Sequence, residues 1–150
     1  MANPKDWSSH KVLDLYFGTN KLGCIEKDYF TGFIENQERS IRTLSLPYND
    51  IESIESGSFD KLIHLQILNL SKNKIQTLPE NLFEQNMQTL ERIDLTNNRI
   101  HSLPAGLFRQ LNVLTSLRLS HNFLTQLDAQ AFKCKTFLRI LSLTFNIDHF

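Results

Sequence analysis

The chain has 150 residues, with 16 basic and 16 acidic side chains, five histidines and a formal net charge of zero. That balance argues against non-specific attraction to nucleic acid or to an anionic membrane. No apolar run approaches the roughly 20 residues needed to span a bilayer, and Met1 to Asn20 lacks the apolar stretch of a secretory leader.

Residues 1–11 read as a lead-in, with Trp7 and Val12 folding over the first structural unit as a lid. From residue 12 to 150 one phrase recurs: apolar, two variable, apolar, one variable, apolar, two variable, asparagine. It runs Val12-Leu15-Phe17-Asn20, Ile41-Leu44-Leu46-Asn49, Leu65-Leu68-Leu70-Asn73, Leu90-Ile93-Leu95-Asn98, Leu114-Leu117-Leu119-Asn122 and Leu138-Leu141-Leu143-Asn146. Units therefore start at 12, 41, 65, 90, 114 and 138, the last incomplete, and the asparagines stand 29, 24, 25, 24 and 24 residues apart.

Each phrase predicts one short strand whose first, fourth and sixth residues point inward. Strands of successive units pair in parallel, and the chain forms a solenoid of the α/β class. The asparagine sits where the backbone turns away, with a donor and an acceptor for the loops above and below. A leucine there would strand buried polar groups at about 1–3 kcal/mol each.

Past each asparagine come two more apolar columns, Leu22, Ile51, Ile75, Ile100, Leu124 and Ile25, Ile54, Leu78, Leu103, Leu127. Pro79 and Pro104 suit an extended outer segment. A phenylalanine column comes next: Phe30, Phe59, Phe83, Phe108 and Phe132. A ring repeated in every unit reads as a stacked spine rather than a cofactor site.

The extra length of the first unit falls near Ile34–Ser40, read as a polar loop. The third unit has one extra residue near Glu84–Met87, with Met87 expected to fill the place of Leu62 and Leu111. In the fifth unit Lys135 takes that place, with Cys134 or its own stem covering the gap. Asp148 stands where an apolar residue is due. Phe137, Phe145 and Phe150 leave an apolar edge at the last unit.

Cys24 and Cys134 lie four units apart, roughly 19 Å at about 4.8 Å per strand, beyond the about 7 Å that a disulfide spans. Both read as small buried filler, a reactive thiol being the other reading. Asn69-Leu70-Ser71 is a glycosylation sequon and also what the repeat pattern places there; the repeat reading is preferred. His10, His64, His101, His121 and His149 fall at different unit positions and do not converge. No phosphate loop, Cys-x-x-Cys or paired ligand histidines appear, so no enzyme, cofactor or metal is expected.

The 24-residue unit carrying Leu-Pro and a later Phe, cleanest from Leu103-Pro104 to Phe108, resembles the typical class of leucine-rich repeats. Leu65–Asn73 and Leu114–Asn122, each with Ser after the last leucine, look most like Toll-like receptor ectodomains; variable lymphocyte receptors share the class. The resemblance covers about residues 12–146 and implies a curved right-handed superhelix, with a parallel sheet on the concave face and irregular or 3-10 structure outside. It implies a non-enzymatic binding module of an innate-immune or adhesion receptor. The family's cysteine-rich caps are missing, so the chain reads as a piece of a longer receptor. On that reading it is extracellular; read as complete, it is cytoplasmic.

Recognition is expected on the outward strand residues. One row is Asp14, Thr43, Ile67, Arg92, Ser116, Ile140; the next is Tyr16, Ser45, Asn69, Asp94, Arg118, Ser142. The candidate contact residues are Tyr16, Tyr48, Lys72, Glu91, Arg92, Asp94, Arg118 and His121, because aromatic and arginine side chains tend to anchor interfaces. Arg92, Asp94 and Arg118 are expected together, with Glu91 and Lys72 beside them. The bland alternative is a charge-balanced solvated face. The expected partner is a protein, with a microbial product as the variant. The alternative function is an assembly protein that self-associates near Phe145 and Phe150.

Overall fold

The computed structural model describes residues 11–33, 39–127, 132, 138–144 and 146. The strands, in chain order, are β1 (Lys11–Tyr16), β2 (Cys24–Ile25), β3 (Arg39–Ser45), β4 (Ser53–Ile54), β5 (Ile67–Asn69), β6 (Arg92–Asp94), β7 (Ser116–Arg118) and β8 (Ile140–Ser142). Six of them form one parallel sheet in the order β1-β3-β5-β6-β7-β8, one strand per unit. β2 and β4 pair separately, also in parallel, where the chain leaves the first two turns. Among the described residues the outer side carries turns and the 3-10 segments Thr31–Phe33 and Glu84–Asn86. Among the described residues there is no α-helix.

The inward columns form the core. The phrase leucines and isoleucines from Ile41 through Leu119 are at most 1% exposed. Burying each contributes about 1.5–3 kcal/mol. The phenylalanine spine runs unbroken from Phe30 to Phe132, with ring centroids 6.0 to 6.3 Å apart and near-parallel planes.

The asparagines form a ladder inside the turns. Asn73 Oδ1 accepts the N–H groups of Asn49 and Ile51 at 2.9 and 3.1 Å. Its Nδ2 donates to the carbonyls of Leu46 and Leu70, both at 2.9 Å. Asn98 repeats this with Ile75, Leu70 and Leu95. Asn122 does so with Ile100, Leu95 and Leu119, and Asn146 with Leu124, Leu119 and Leu143. Each amide thus ties the coil it belongs to onto the one before it.

Three expectations need correction. Val12 is 53% exposed, and Leu13 takes the inward place opposite Ile41. Leu13 pairs with Ile41 and Asp14 with Thr43, so β3 carries an extra residue, Arg42, while β1 lacks one and its inward face starts at Leu13. Arg39 and Ser40 are not loop but the start of β3, which pairs with β1 over its whole length. The place of Leu62 and Leu111 is filled by Asn86, not by Met87. Asn86 is fully buried and its Nδ2 donates to the Leu62 carbonyl at 2.8 Å, so a side-chain hydrogen bond replaces apolar packing there. The extra residue follows it, and Met87 is half-buried. The expectations for Trp7, Cys134, Lys135, Phe137, Phe145, Asp148 and Phe150 lie outside the described residues.

Candidate concave-face interface

The strand register aligns both outward rows as the phrase requires. Ile67 sits opposite Arg92, Arg92 opposite Ser116 and Ser116 opposite Ile140. In the next row Asn69, Asp94, Arg118 and Ser142 align. Ser116 is small and only 9% exposed, while Arg92 and Ile140 stand out on either side. The result is a trough of about 640 Å³ over β5 to β8, with Glu91, Asp94, Arg118 and Arg139 among its walls.

Charge in the trough is partly neutralised. Arg118 Nη1 lies 3.7 Å from Asp94 Oδ2, and Asp94 Oδ1 also accepts the Thr96 N–H at 2.9 Å. Among the described residues Arg92 and Arg139 make no ion pair, although both are exposed. The toward-β1 half of the sheet is different. Arg42 Nη2 binds Asp14 Oδ2 at 2.9 Å and its Nε approaches Oδ1 at 3.4 Å. That donation from Arg42 holds the Asp14 carboxyl below its ordinary range. On the flank, the Lys74 ammonium lowers Asp50 in the same way from 2.9 Å.

The strand-end candidates share a backbone feature. Thr19, Tyr48, Lys72, Asn97 and His121, each just before a ladder asparagine, have φ between 56° and 60°. The turn out of the sheet needs this left-handed residue. It favours Gly or Asn and costs other L-residues about 1–2 kcal/mol. Only Asn97 meets that preference. Tyr48, Lys72 and His121 are thereby aimed to the rim, where all three are exposed. Lys72 does not join Arg92 and Asp94 as expected. Its ammonium hydrogen-bonds the Tyr48 hydroxyl and lies 4.6 Å from the centre of that ring. Tyr16 is 70% exposed, one row in from the rim.

Sequence reasoning missed Arg42, Thr115 and Arg139. They share the second position of the phrase with Glu91, and reading that column as a third outward row would have found them. Asn69 keeps the local role that the repeat pattern gives it, since its Oδ1 accepts the Ser71 N–H at 2.9 Å. His101, expected to be polar filler, stacks on the exposed Phe123 ring at 5.4 Å. Cys24 is half-buried and its sulfur accepts a hydrogen bond from Ser53.

The Leucine rich repeat family profile matches residues 39–86 and 88–146. Tsukushi from Gallus gallus is 36% identical over 74 residues, which are 49% of this chain and 19% of that protein. A probable glycoprotein hormone G-protein coupled receptor from Anthopleura elegantissima is 37% identical over 78 residues, 51% of this chain and 8% of the receptor. A chain in the solved Toll–Spatzle complex of Drosophila aligns with a TM-score of 0.65 and 28% identity, covering 89% of this chain and 16% of that one. A chain in the TLR13–ssRNA13 complex aligns over 90% of this chain and 25% of its own, with a TM-score of 0.49 and 26% identity. This chain therefore spans under a fifth of the curated relatives it matches. It resembles Toll-like receptor ectodomains in repeat class and in coil geometry. Its phrase, its amide ladder and the matched profile agree: the chain belongs to the leucine-rich-repeat family, as a repeat module of the kind used for protein interaction.

Proposed function

We propose that this segment is a non-enzymatic recognition module that holds a protein ligand against the concave face over β5 to β8, as part of an innate-immune or adhesion receptor. The observation that carries the reading is Arg92. It is an exposed guanidinium with no ion pair among the described residues, standing beside a trough whose floor is the small, buried Ser116. The fold does not ask for arginine there: the same row holds Thr43, Ile67, Ser116 and Ile140 in other coils. Tyr48, Lys72 and His121 add a second argument, since the turn would form more easily with Gly or Asn in their place.

A similar solved chain comes from the Toll–Spatzle complex, a molecular hub in Drosophila development and innate immunity. Carried over to this chain, that likeness is the ground for the innate-immune reading.

The test takes a protein ligand recovered on the immobilised chain and measures its Kd for wild type and for Arg92→Ala with Arg118→Ala. The expected loss is more than ten-fold, in line with the cost of truncating arginine anchors. Unchanged affinity moves the site to a flank or to the convex side. Parallel arms with a microbial polysaccharide and with single-stranded RNA test the other ligand classes, the second against the expectation drawn from zero net charge. Light scattering over a concentration series tests self-association, and a strict monomer rejects it.

A further inference from the structure

We infer that the convex side carries a second, separate binding site: a slot between the third and fourth units that takes an arginine side chain of a partner protein. The slot has a volume of about 260 Å³. Its floor is apolar, made by Phe83, Leu107 and Leu111, all buried, with Met87 half-buried at one side. Its mouth carries two carboxylates, Glu80 and Glu84. Both side chains are exposed, and among the described residues neither makes an ion pair. No lysine or arginine lines the slot.

Departures from the repeat converge here. Asn86 stands where Leu62 and Leu111 stand in the neighbouring units, and the one extra residue of the third unit comes directly after it. That insertion brings Met87 beside the fourth unit, where its carbonyl accepts the Asn112 N–H at 3.2 Å. Gly106 supplies the room above. Its backbone is not left-handed, so the turn does not require glycine. A Cβ at this position would lie 2.7 Å from Glu80 Oε1, so an alanine there would push that carboxylate aside. The second unit closes its coil with no such insertion.

The chemistry of the occupant follows from the shape. A long aliphatic stem covers Met87 and Leu111, as basic side chains do along apolar surface. Methionine adapts to such a stem without a fixed contour. A planar guanidinium presents several N–H donors to carboxylates at once, which an ammonium does not. Because the slot lies on the other side of the solenoid from the sheet, it is independent of concave recognition.

The test is a titration of the 150-residue chain, followed by amide NMR, with acetyl-Gly-Arg-Gly-amide, its neutral citrulline counterpart and its lysine counterpart. Arginine is expected to move the amides of Met87, Gly106, Leu107 and Gln110, with citrulline at least ten-fold weaker and lysine weaker than arginine. Glu80→Gln with Glu84→Gln is expected to lower the arginine affinity at least ten-fold, and Gly106→Ala at least three-fold. Arg92→Ala with Arg118→Ala leaves it unchanged. Equal binding of citrulline, equal binding of lysine, shifts spread over both faces, no saturable shift, or full affinity in the double glutamine variant would each overturn the assignment.

Discussion

Asn98 lies between two coils and uses both ends of its amide, accepting from Ile75 and donating to Leu70 and Leu95. Asn20, at the same place in the first coil, is exposed and, among the described residues, its side chain donates only to Gly18, two residues back. The coil between them in character is the second. Asn49 donates to Phe17 and Pro47, yet its buried Oδ1 has no partner. The Leu22 amide, which should meet that oxygen, donates instead to the main-chain carbonyl of Asn49 at 2.9 Å, joined by Gly23 at 3.3 Å. The first coil is also clamped from outside by the Arg42–Asp14 pair. One repeated residue therefore contributes very differently along the chain. The ladder amide stabilises fully only where the coil before it leaves main-chain groups for it to satisfy.

Substitution at the two ends of this comparison gives the largest effect. Asn98→Ala leaves the buried Ile75 N–H unpaired and takes one of two amide donors from the Leu70 and Leu95 carbonyls, which Asn73 and Asn122 still serve. It should cost about 2–4 kcal/mol in urea unfolding, about 1–3 kcal/mol of it from the unpaired N–H. Asn20→Ala should cost under about 0.5 kcal/mol, as surface changes do. Equal costs would break the comparison. A smaller effect is expected at Gly23, whose φ is 69° with nothing within 4 Å of an added Cβ. Gly23→Ala should cost about 1–2 kcal/mol from backbone conformation alone, seen as faster hydrogen exchange at Leu22 than at Ile75.

The smallest effect is the pH dependence of the first coil. Asp14 has a folded-state pKa below its unfolded one because Arg42 donates to it. Its contribution is present above the unfolded value of about 3.9 and is lost as pH falls through the lower folded value. The pair is solvent-exposed, so the slope should be shallow and should fade with added salt. Denaturation midpoints followed from pH 6 to pH 2 should flatten in Asp14→Asn. An unchanged slope would remove the clamp from the account and turn attention to Asp50, which Lys74 lowers.

Most of the architecture was legible because the core columns repeat. Leu68, Ile93 and Leu117 announce an inward strand face, and Phe59, Phe83 and Phe108 a spine, since one steric demand recurs in each coil. Legibility failed where a unit departs from its neighbours. β1 lacks the extra residue that Arg42 adds to β3, which shifts its face by one, and the phrase still reads acceptably with Val12 in the wrong place. Asn86 was passed over for Met87 because polarity alone predicts exposure. Its hydrogen bond to Leu62 is a tertiary fact. The outward rows were readable as positions, yet not as pairings. Lys72 turned to Tyr48 rather than to Asp94, because the left-handed residue at the strand end redirects its side chain to the rim.

By itself the sequence determined the repeat, its register from the second coil onward and its family, because a solenoid core is built from one local phrase and contacts only its neighbours. Tertiary structure alone decided which charges are neutralised and which remain open, and where outward side chains leave a trough or a slot. Those properties depend on side chains 24 or more residues apart meeting across coils. No periodicity constrains them, because the core is equally well packed whichever residues face the solvent.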